Sequence, residues 1–308
     1  MKILVTGAAG QVGAELMREL TGRGYTVIGT DRTVPNDYKE YRILRMDITE
    51  HDRVRKMILD EKPEAVMHCA AWTAVDAAEE PANRDTVYAV NSEATGNIAK
   101  ACAALNIPML YLSTDYVFDG SGSEPWQPDD RCFAPLNVYG ASKLAGEEAV
   151  RKLKKHFIVR TSWVFGPHGK NYVRTMADLG RKRDVIKVVC DQIGRPTYAP
   201  DLSVLLADMI ETDRYGYYHA TNSGDYLSWY DFAREIMALT HSKTEVLPVS
   251  TDTYGAAARR PLNSRLDQSR LMQNGFLLLP HWRNALIRYL NVLEAENNGT
   301  DQSDRNRN

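Results

Sequence analysis

Short apolar runs alternate with longer amphipathic segments through the first half of the chain. Residues 2–6, 25–30, 65–69, 109–113 and 157–161 are apolar along most of their length and read as strands. The segments between them, 11–23, 51–61, 91–105 and 140–154, repeat their apolar residues at helical spacing. Runs without polar alternation fit strands buried on both faces of a parallel sheet. Strand–helix alternation at this spacing predicts an α/β fold with a doubly wound parallel sheet of the Rossmann type. After Trp163 the rhythm weakens. A helix is expected at 201–210 and a last sheet strand at 217–220, and the chain from Trp229 onward reads as a smaller, mostly helical lid. The expected division is a dinucleotide-binding domain over 1–165, to which 198–221 return, and a substrate-binding domain over 166–197 and 222–296. Residues 297–308 contain no apolar side chain and are expected to form a disordered tail.

Composition narrows the function without naming it. The chain has 308 residues, 44% of them hydrophobic and 25% charged, which is ordinary for a globular protein. A formal net charge of −2 gives no electrostatic case for nucleic acid or an acidic membrane surface. No apolar run approaches the length of a membrane span or a secretory segment, so a cytoplasmic protein is expected. The 4 cysteines, Cys69, Cys102, Cys132 and Cys190, match neither a zinc site nor a redox pair and read as reduced thiols. No histidine stands at metal-ligand spacing from another, and no metal site is expected. Glu15 reads as an accessible helical carboxylate with no ligand cluster around it, which leaves a Mg2+ requirement open. A homodimer is likewise left open.

Gly7, Gly10 and Gly13 follow the first strand and open the first helix. Gly7 permits a tight turn, Gly10 lets the backbone approach a pyrophosphate, and Gly13 lets helix pack on strand. Gln11 and Val12 complete the turn, and the helix N-terminus offers free N–H groups to phosphates. Asp31 ends the second strand, where a carboxylate accepts an adenosine ribose hydroxyl and favours NADH. Arg32 follows and suits the 2′-phosphate of NADPH, so either cofactor is compatible. Asp47 and Ile48 are placed near the adenine. Ala70, Ala71, Trp72 and Thr73 follow a strand at the carboxyl edge, where such folds bind ligands.

Tyr139 and Lys143 are one helical turn apart. A neighbouring ammonium is expected to lower the phenol pKa, and Tyr139 can then pass a proton to a carbonyl oxygen as hydride reaches its carbon. Thr114, at a strand end, can bond the same oxygen. With these motifs the chain resembles the extended short-chain dehydrogenases/reductases and, within them, the dTDP-4-dehydrorhamnose reductase family. The stretches that carry the resemblance are 7–13, 71–79 (AWTAVDAAE), 113–120 (STDYVFDG), 135–147 (PLNVYGASKLAGE), 160–166 (RTSWVFG), 191–197 (DQIGRPT) and 259–261 (RRP). The resemblance implies reduction of a dTDP-linked 4-keto-deoxysugar by NADPH or NADH. It implies that Thr114 and Asp115 contact the sugar, Tyr139 donates the proton, Lys143 holds the nicotinamide ribose, Asn91 completes the catalytic group and Trp163 packs on the sugar. Independently of family, an indole at a strand end suits the apolar face of a deoxysugar. Arg259 and Arg260 suit the nucleotide diphosphate. The loop Gly166, Pro167, His168, Gly169 matches no substrate role.

Two other readings compete. A related sugar-nucleotide reductase, epimerase or dehydratase shares most of these motifs; dehydratases place an Asp-Glu pair after the threonine, where this chain has Asp115 and Tyr116. A non-catalytic subunit resembling the methionine adenosyltransferase β subunit can keep the Tyr and Lys, but tends to lack the threonine and tryptophan found here as Thr114 and Trp163.

Overall fold

The apolar runs of the first half lie side by side in the computed structural model, which describes residues 1–34, 40–131 and 133–305, with side chains as far as Glu296. The main strands are β1 (Lys2–Thr6), β2 (Thr26–Asp31), β3 (Ile43–Arg45), β4 (Ala65–His68), β5 (Met109–Thr114), β6 (His156–Thr161), β7 (Val185–Val189), β8 (Gly216–His219) and β9 (Glu245–Val249). The larger helices are α1 (Gln11–Gly22), α2 (His51–Glu61), α3 (Thr95–Leu105), α4 (Val138–Val150), α5 (Tyr172–Gly180), α6 (Ala199–Ile210), α7 (Trp229–Leu239) and α8 (Trp282–Arg305). Seven strands form one sheet in the order β8-β6-β5-β4-β1-β2-β3. Every pairing in it is parallel. The strand order reverses between β1 and β4, and that reversal opens a crevice beyond the carboxyl ends of the strands.

Both faces of the sheet are covered, which is why its strands are apolar throughout. Along β1 successive side chains alternate faces. Ile3 and Val5 pack with Leu16 and Met17 of α1 and Leu202 and Leu206 of α6. Leu4 packs on the other face with Val54 and Ile58 of α2 and Ile98 and Cys102 of α3. Each such fully buried aliphatic contributes roughly 1.5–3 kcal/mol relative to exposure. One ion pair is set into this core. Arg160 of β6 and Glu147 of α4 meet at 2.7 Å with side chains 0% and 1% exposed. The Ser113 hydroxyl donates to Glu147 Oε1 at 2.6 Å. Removing one member of such a pair costs about 3–5 kcal/mol, because the other charge is stranded. The pair fixes α4 against β5 and β6.

The second half adds α5, α7 and α8 around Phe165, Phe232, Leu286 and Tyr289. This lid also contains a parallel ribbon of β7 and β9, which a mostly helical reading leaves out. β3 was also not anticipated. Both lie at edges: β3 and β9 have no fully buried position and β7 alternates buried with exposed ones, so none gives the continuous apolar run of a central strand. α8 extends to Arg305 and takes in most of the segment expected to be a disordered tail; residues 306–308 lie outside the described residues. Among the described residues no helix is long and apolar enough to cross a membrane.

Candidate active site

At the crevice, β1 hands over to α1 through a turn that needs glycine. Gly7 has a φ of +69°, and a β-carbon there would lie 2.6 Å from the Ala70 nitrogen. At Gly13 a β-carbon would run into the Gly7 carbonyl. No side chain caps the start of α1 and no acidic residue sits in its first turn. The helix itself therefore sets no anion against its first-turn N–H groups and positive dipole end, which suits a pyrophosphate. Asp31 Oδ2 accepts from the Ala9 backbone N–H at 3.0 Å and its Oδ1 from that of Thr33 at 3.1 Å. The same carboxylate that faces the crevice thus braces the turn. Burial pushes the Asp47 carboxyl up, but the Thr49 backbone and hydroxyl, with the Arg32 charge, bring it below its ordinary value.

The cleft encloses about 590 Å³. Gly7, Gly10, Gln11, Val12, Gly13, Asp31, Arg32, Asp47, Ile48, Ala70, Ala71, Trp72 and Thr73 all line it, as do Thr114, Asp115, Tyr139, Lys143 and Trp163. The helix that brings in the phenol starts beside the cleft. Asn137 caps α4, its side-chain oxygen accepting from the Gly140 N–H at 2.8 Å. Tyr139 therefore sits in the first turn and Lys143 one turn deeper.

Burial pushes the Tyr139 phenol up to about 12, against a smaller lowering by the Thr114 hydroxyl. The expected lowering by Lys143 is not what this ligand-free arrangement produces. Lys143 Nζ donates to the Leu112 carbonyl at 2.8 Å and lies 4.0 Å from the Tyr111 ring centre. Burial pulls the Lys143 ammonium down to about 7, with Glu147 opposing. Desolvation outweighs the opposing interactions at both groups. Burial also pushes the Asp115 carboxyl up to about 6. Its Oδ1 accepts from the Thr114 hydroxyl at 3.1 Å, while Oδ2 is buried without a partner.

Other expected site residues lie elsewhere. Asn91 does not line the cleft. It is fully buried in a π-helical stretch, Ala89–Ala94, a local widening of the helix common at functional sites. Its side chain accepts from the Trp72 N–H at 2.8 Å and donates to the Trp72 carbonyl at 3.1 Å and Ser142 Oγ at 2.9 Å. Ser142 in turn donates to the Tyr139 carbonyl at 2.7 Å. On the other side Thr95 donates to the Asn91 carbonyl at 2.8 Å and meets His68 Nε2 at 2.9 Å, while His68 Nδ1 meets Thr6 Oγ1 at 2.6 Å. Thr95 spends its one proton on Asn91, so His68 Nε2 is the donor; burial pulls the His68 pKa down to about 3, which keeps the ring neutral. Asn91 thus belongs to a buried chain that ties the end of β1 to the first turn of α4.

Glu15 is buried, not accessible: it pairs with Arg18 at 2.6 Å and with His168 at 3.4 Å. Among the described residues no group of three or more His, Cys, Asp or Glu could hold a metal. The loop containing His168 lies against the dinucleotide turn, where Gln11 Nε2 donates to the Lys170 carbonyl at 3.0 Å. Lys170 lines the cleft, which sequence reading missed although it follows the unmatched loop directly. Cys69 lines the cleft as well; Cys69, Cys102 and Cys190 are free thiols, and Cys132 lies outside the described residues.

Arg259 and Arg260 line a second cavity of about 720 Å³, which shares Tyr116 and Trp229 with the cleft. Arg260 is held by Asp76 at 2.6 and 3.0 Å. Arg259 is exposed and is the better placed of the two for an added anion. In the sequence Tyr116 serves only as an argument against a dehydratase and Trp229 only as the start of the lid; neither is expected to line the site. Tyr116 directly follows Asp115 and could have been; Trp229 opens a helix of the lid and carried no signal of its own.

The sheet order, the uncapped glycine turn and the Tyr139–Lys143 helix end define the fold of the extended short-chain dehydrogenases/reductases. The chain belongs to the RmlD substrate binding domain family, whose model matches residues 1–295. A solved dTDP-4-dehydrorhamnose reductase from Bacillus anthracis, in complex with NADP, is 41% identical, with a TM-score of 0.86 and coverage of 94% of this chain and 98% of its own. The dTDP-4-dehydrorhamnose reductase of Streptomyces griseus is 40% identical over 92% of this chain and 91% of its own. The spore coat polysaccharide biosynthesis protein SpsK of Bacillus subtilis is 38% identical over 94% and 96%.

Proposed function

We propose that the protein reduces the 4-keto group of dTDP-4-dehydro-L-rhamnose to give dTDP-L-rhamnose, using NADPH or NADH. The observation that carries this reading is the convergence of Thr114, Tyr139 and Lys143 on a cleft whose far end is an uncapped helix terminus, next to a second cavity bordered by Arg259. The names of the relatives supply the sugar nucleotide. In this reading the turn at Gly7 to Gly13 holds the cofactor pyrophosphate, with Lys170 nearby, and Asp31 and Arg32 meet the adenosine ribose. When bound, the dihydronicotinamide supplies the hydride. Tyr139 is fully protonated at neutral pH, since its pKa stands at about 12, and so holds the proton that the keto oxygen needs. Thr114 Oγ1 borders the same space and orients that oxygen. Lys143, on the turn below, holds the ribose. A non-catalytic subunit would need none of this alignment.

The test is to mix pure protein with dTDP-4-dehydro-L-rhamnose and NADPH or NADH and follow loss of the reduced cofactor and appearance of dTDP-L-rhamnose. A 4-epimeric product would move the reading to a related reductase, and no consumption with either cofactor would end it. The reading extends to a cytoplasmic location and to a homodimer; cell fractionation and light scattering check these two parts.

A further inference from the structure

Trp163 and Trp229 come from distant segments, the turn after β6 and the first residue of α7. Their rings nevertheless stack, with centroids 3.7 Å apart and planes 15° from parallel. Trp163 holds a φ of +51°, a left-handed conformation that a bulky residue keeps only when its surroundings impose it. Gly194 is part of those surroundings: a β-carbon there would lie 3.0 Å from Cε2 and Cζ2 of Trp163. Trp229 is itself fixed from behind. Its ring lies 4.3 Å from that of Tyr172, whose hydroxyl donates to the Trp229 carbonyl at 3.0 Å. A capping box between Ser228 and Asp231 sets the first turn of α7. One face of Trp163 is therefore taken by Trp229, and the expected free stacking platform is one half of an indole pair.

Trp229 also lines both the cleft and the second cavity. A sugar joined to a nucleoside diphosphate that occupied both would pass it. We infer that Trp229 is a specificity-determining residue: by bracing Trp163 and standing at the junction of the two cavities, it sets where the sugar lies once the nucleotide is seated. This rests on the sugar-nucleotide reading above. It predicts that Trp229 affects the sugar and neither the nucleotide nor the dinucleotide.

The test is to titrate wild type, Trp229→Ala and Trp229→Phe with dTDP, dTDP-L-rhamnose and NADPH. Trp229→Ala should bind dTDP-L-rhamnose about tenfold or more weakly, and dTDP and NADPH within about twofold of wild type. Trp229→Phe keeps a ring against Trp163 and should recover most of the loss. The near-ultraviolet circular dichroism of the stacked indoles should vanish in both variants. Unchanged affinity of Trp229→Ala for dTDP-L-rhamnose, or an equal loss for dTDP, overturns the inference. Should Trp229→Ala not fold, Trp229→Leu, which fills the space without a ring, decides: a loss confined to dTDP-L-rhamnose supports it, and no loss overturns it. A wild type that binds NADPH but neither dTDP ligand removes the reductase reading and this inference together.

Discussion

The two ends of the cleft are built in different ways. At the dinucleotide end, the groups come from the carboxyl ends of neighbouring strands, β1, β2 and β4, and from the turns that follow them at once. At the end proposed for the sugar, Trp163, Trp229 and Arg259 come from three separate segments and line two adjoining cavities only because the lid folds over the sheet. The first end is a property of a local βα unit, held by backbone geometry. The second is a property of tertiary packing, held by ring contacts and side-chain hydrogen bonds. Substitutions at the first end should change how cofactor binds, and those at the second which carbonyl compound is accepted. In the proposed reading the chemistry lies where they join, on α4.

That join should show the largest effect. Tyr139→Phe keeps the ring and removes the proton, so turnover should fall roughly 100-fold or more with NADPH affinity retained. Rapid turnover in this variant would take the phenol out of the mechanism. Lys143→Met should also lose most turnover, and it should change how stability depends on pH. Burial holds the Lys143 ammonium at about 7 against its ordinary 10.5. Between these values the unfolded chain binds more protons than the folded one, so stability should rise with pH across that window and be lowest below it. The charged form costs the fold on the order of 5 kcal/mol, so Lys143→Met should melt higher at pH 6 and lose much of the rise toward pH 10. Melting curves at several pH values check this; an unchanged slope would show that Lys143 titrates normally.

Smaller effects should separate the two ends. Arg259→Ala should raise the sugar-nucleotide KM about fivefold to tenfold and leave NADPH affinity alone. Arg260→Ala breaks the pair with Asp76 and should lower Tm with a weaker effect on KM. Steady-state kinetics and melting of both variants would reverse these roles if Arg260 is the one that meets the diphosphate. Arg32→Ala should be the mildest: a severalfold loss of NADPH affinity with NADH unchanged, since only NADPH carries the 2′-phosphate. An equal loss for both cofactors would move Arg32 away from that phosphate.

The same contrast explains what could be read from the sequence. The glycine turn, Asp31, Thr114, Tyr139 and Lys143 were legible because strand ends and helix starts fix their neighbourhood within a few residues. Trp229 was not, because its place depends on α7 docking against the turn after β6. Asn91 was legible as a residue and not as a role: a π-helical stretch cannot be told from an α-helix by periodicity, and it turns the side chain toward Trp72 and Ser142. Glu15 was misread for a related reason, since its buried setting depends on His168, far along the chain. The pKa of Tyr139 was misjudged because sequence shows the neighbouring charge and not the depth of burial.

The double duty of Asp31 bears on how such a protein could change its redox currency. Where a carboxylate at this position only meets the ribose, replacing it with a small neutral residue opens room for a phosphate at little structural expense. Here the same carboxylate accepts the backbone N–H groups of Ala9 and Thr33, so its loss would loosen the glycine turn that both cofactors need. Adaptation toward one dinucleotide, by selection or by design, is thereby steered away from position 31 and toward its exposed neighbour Arg32. In the proposed reading, preference between NADH and NADPH would change by small steps at one surface side chain while the turn itself stays locked.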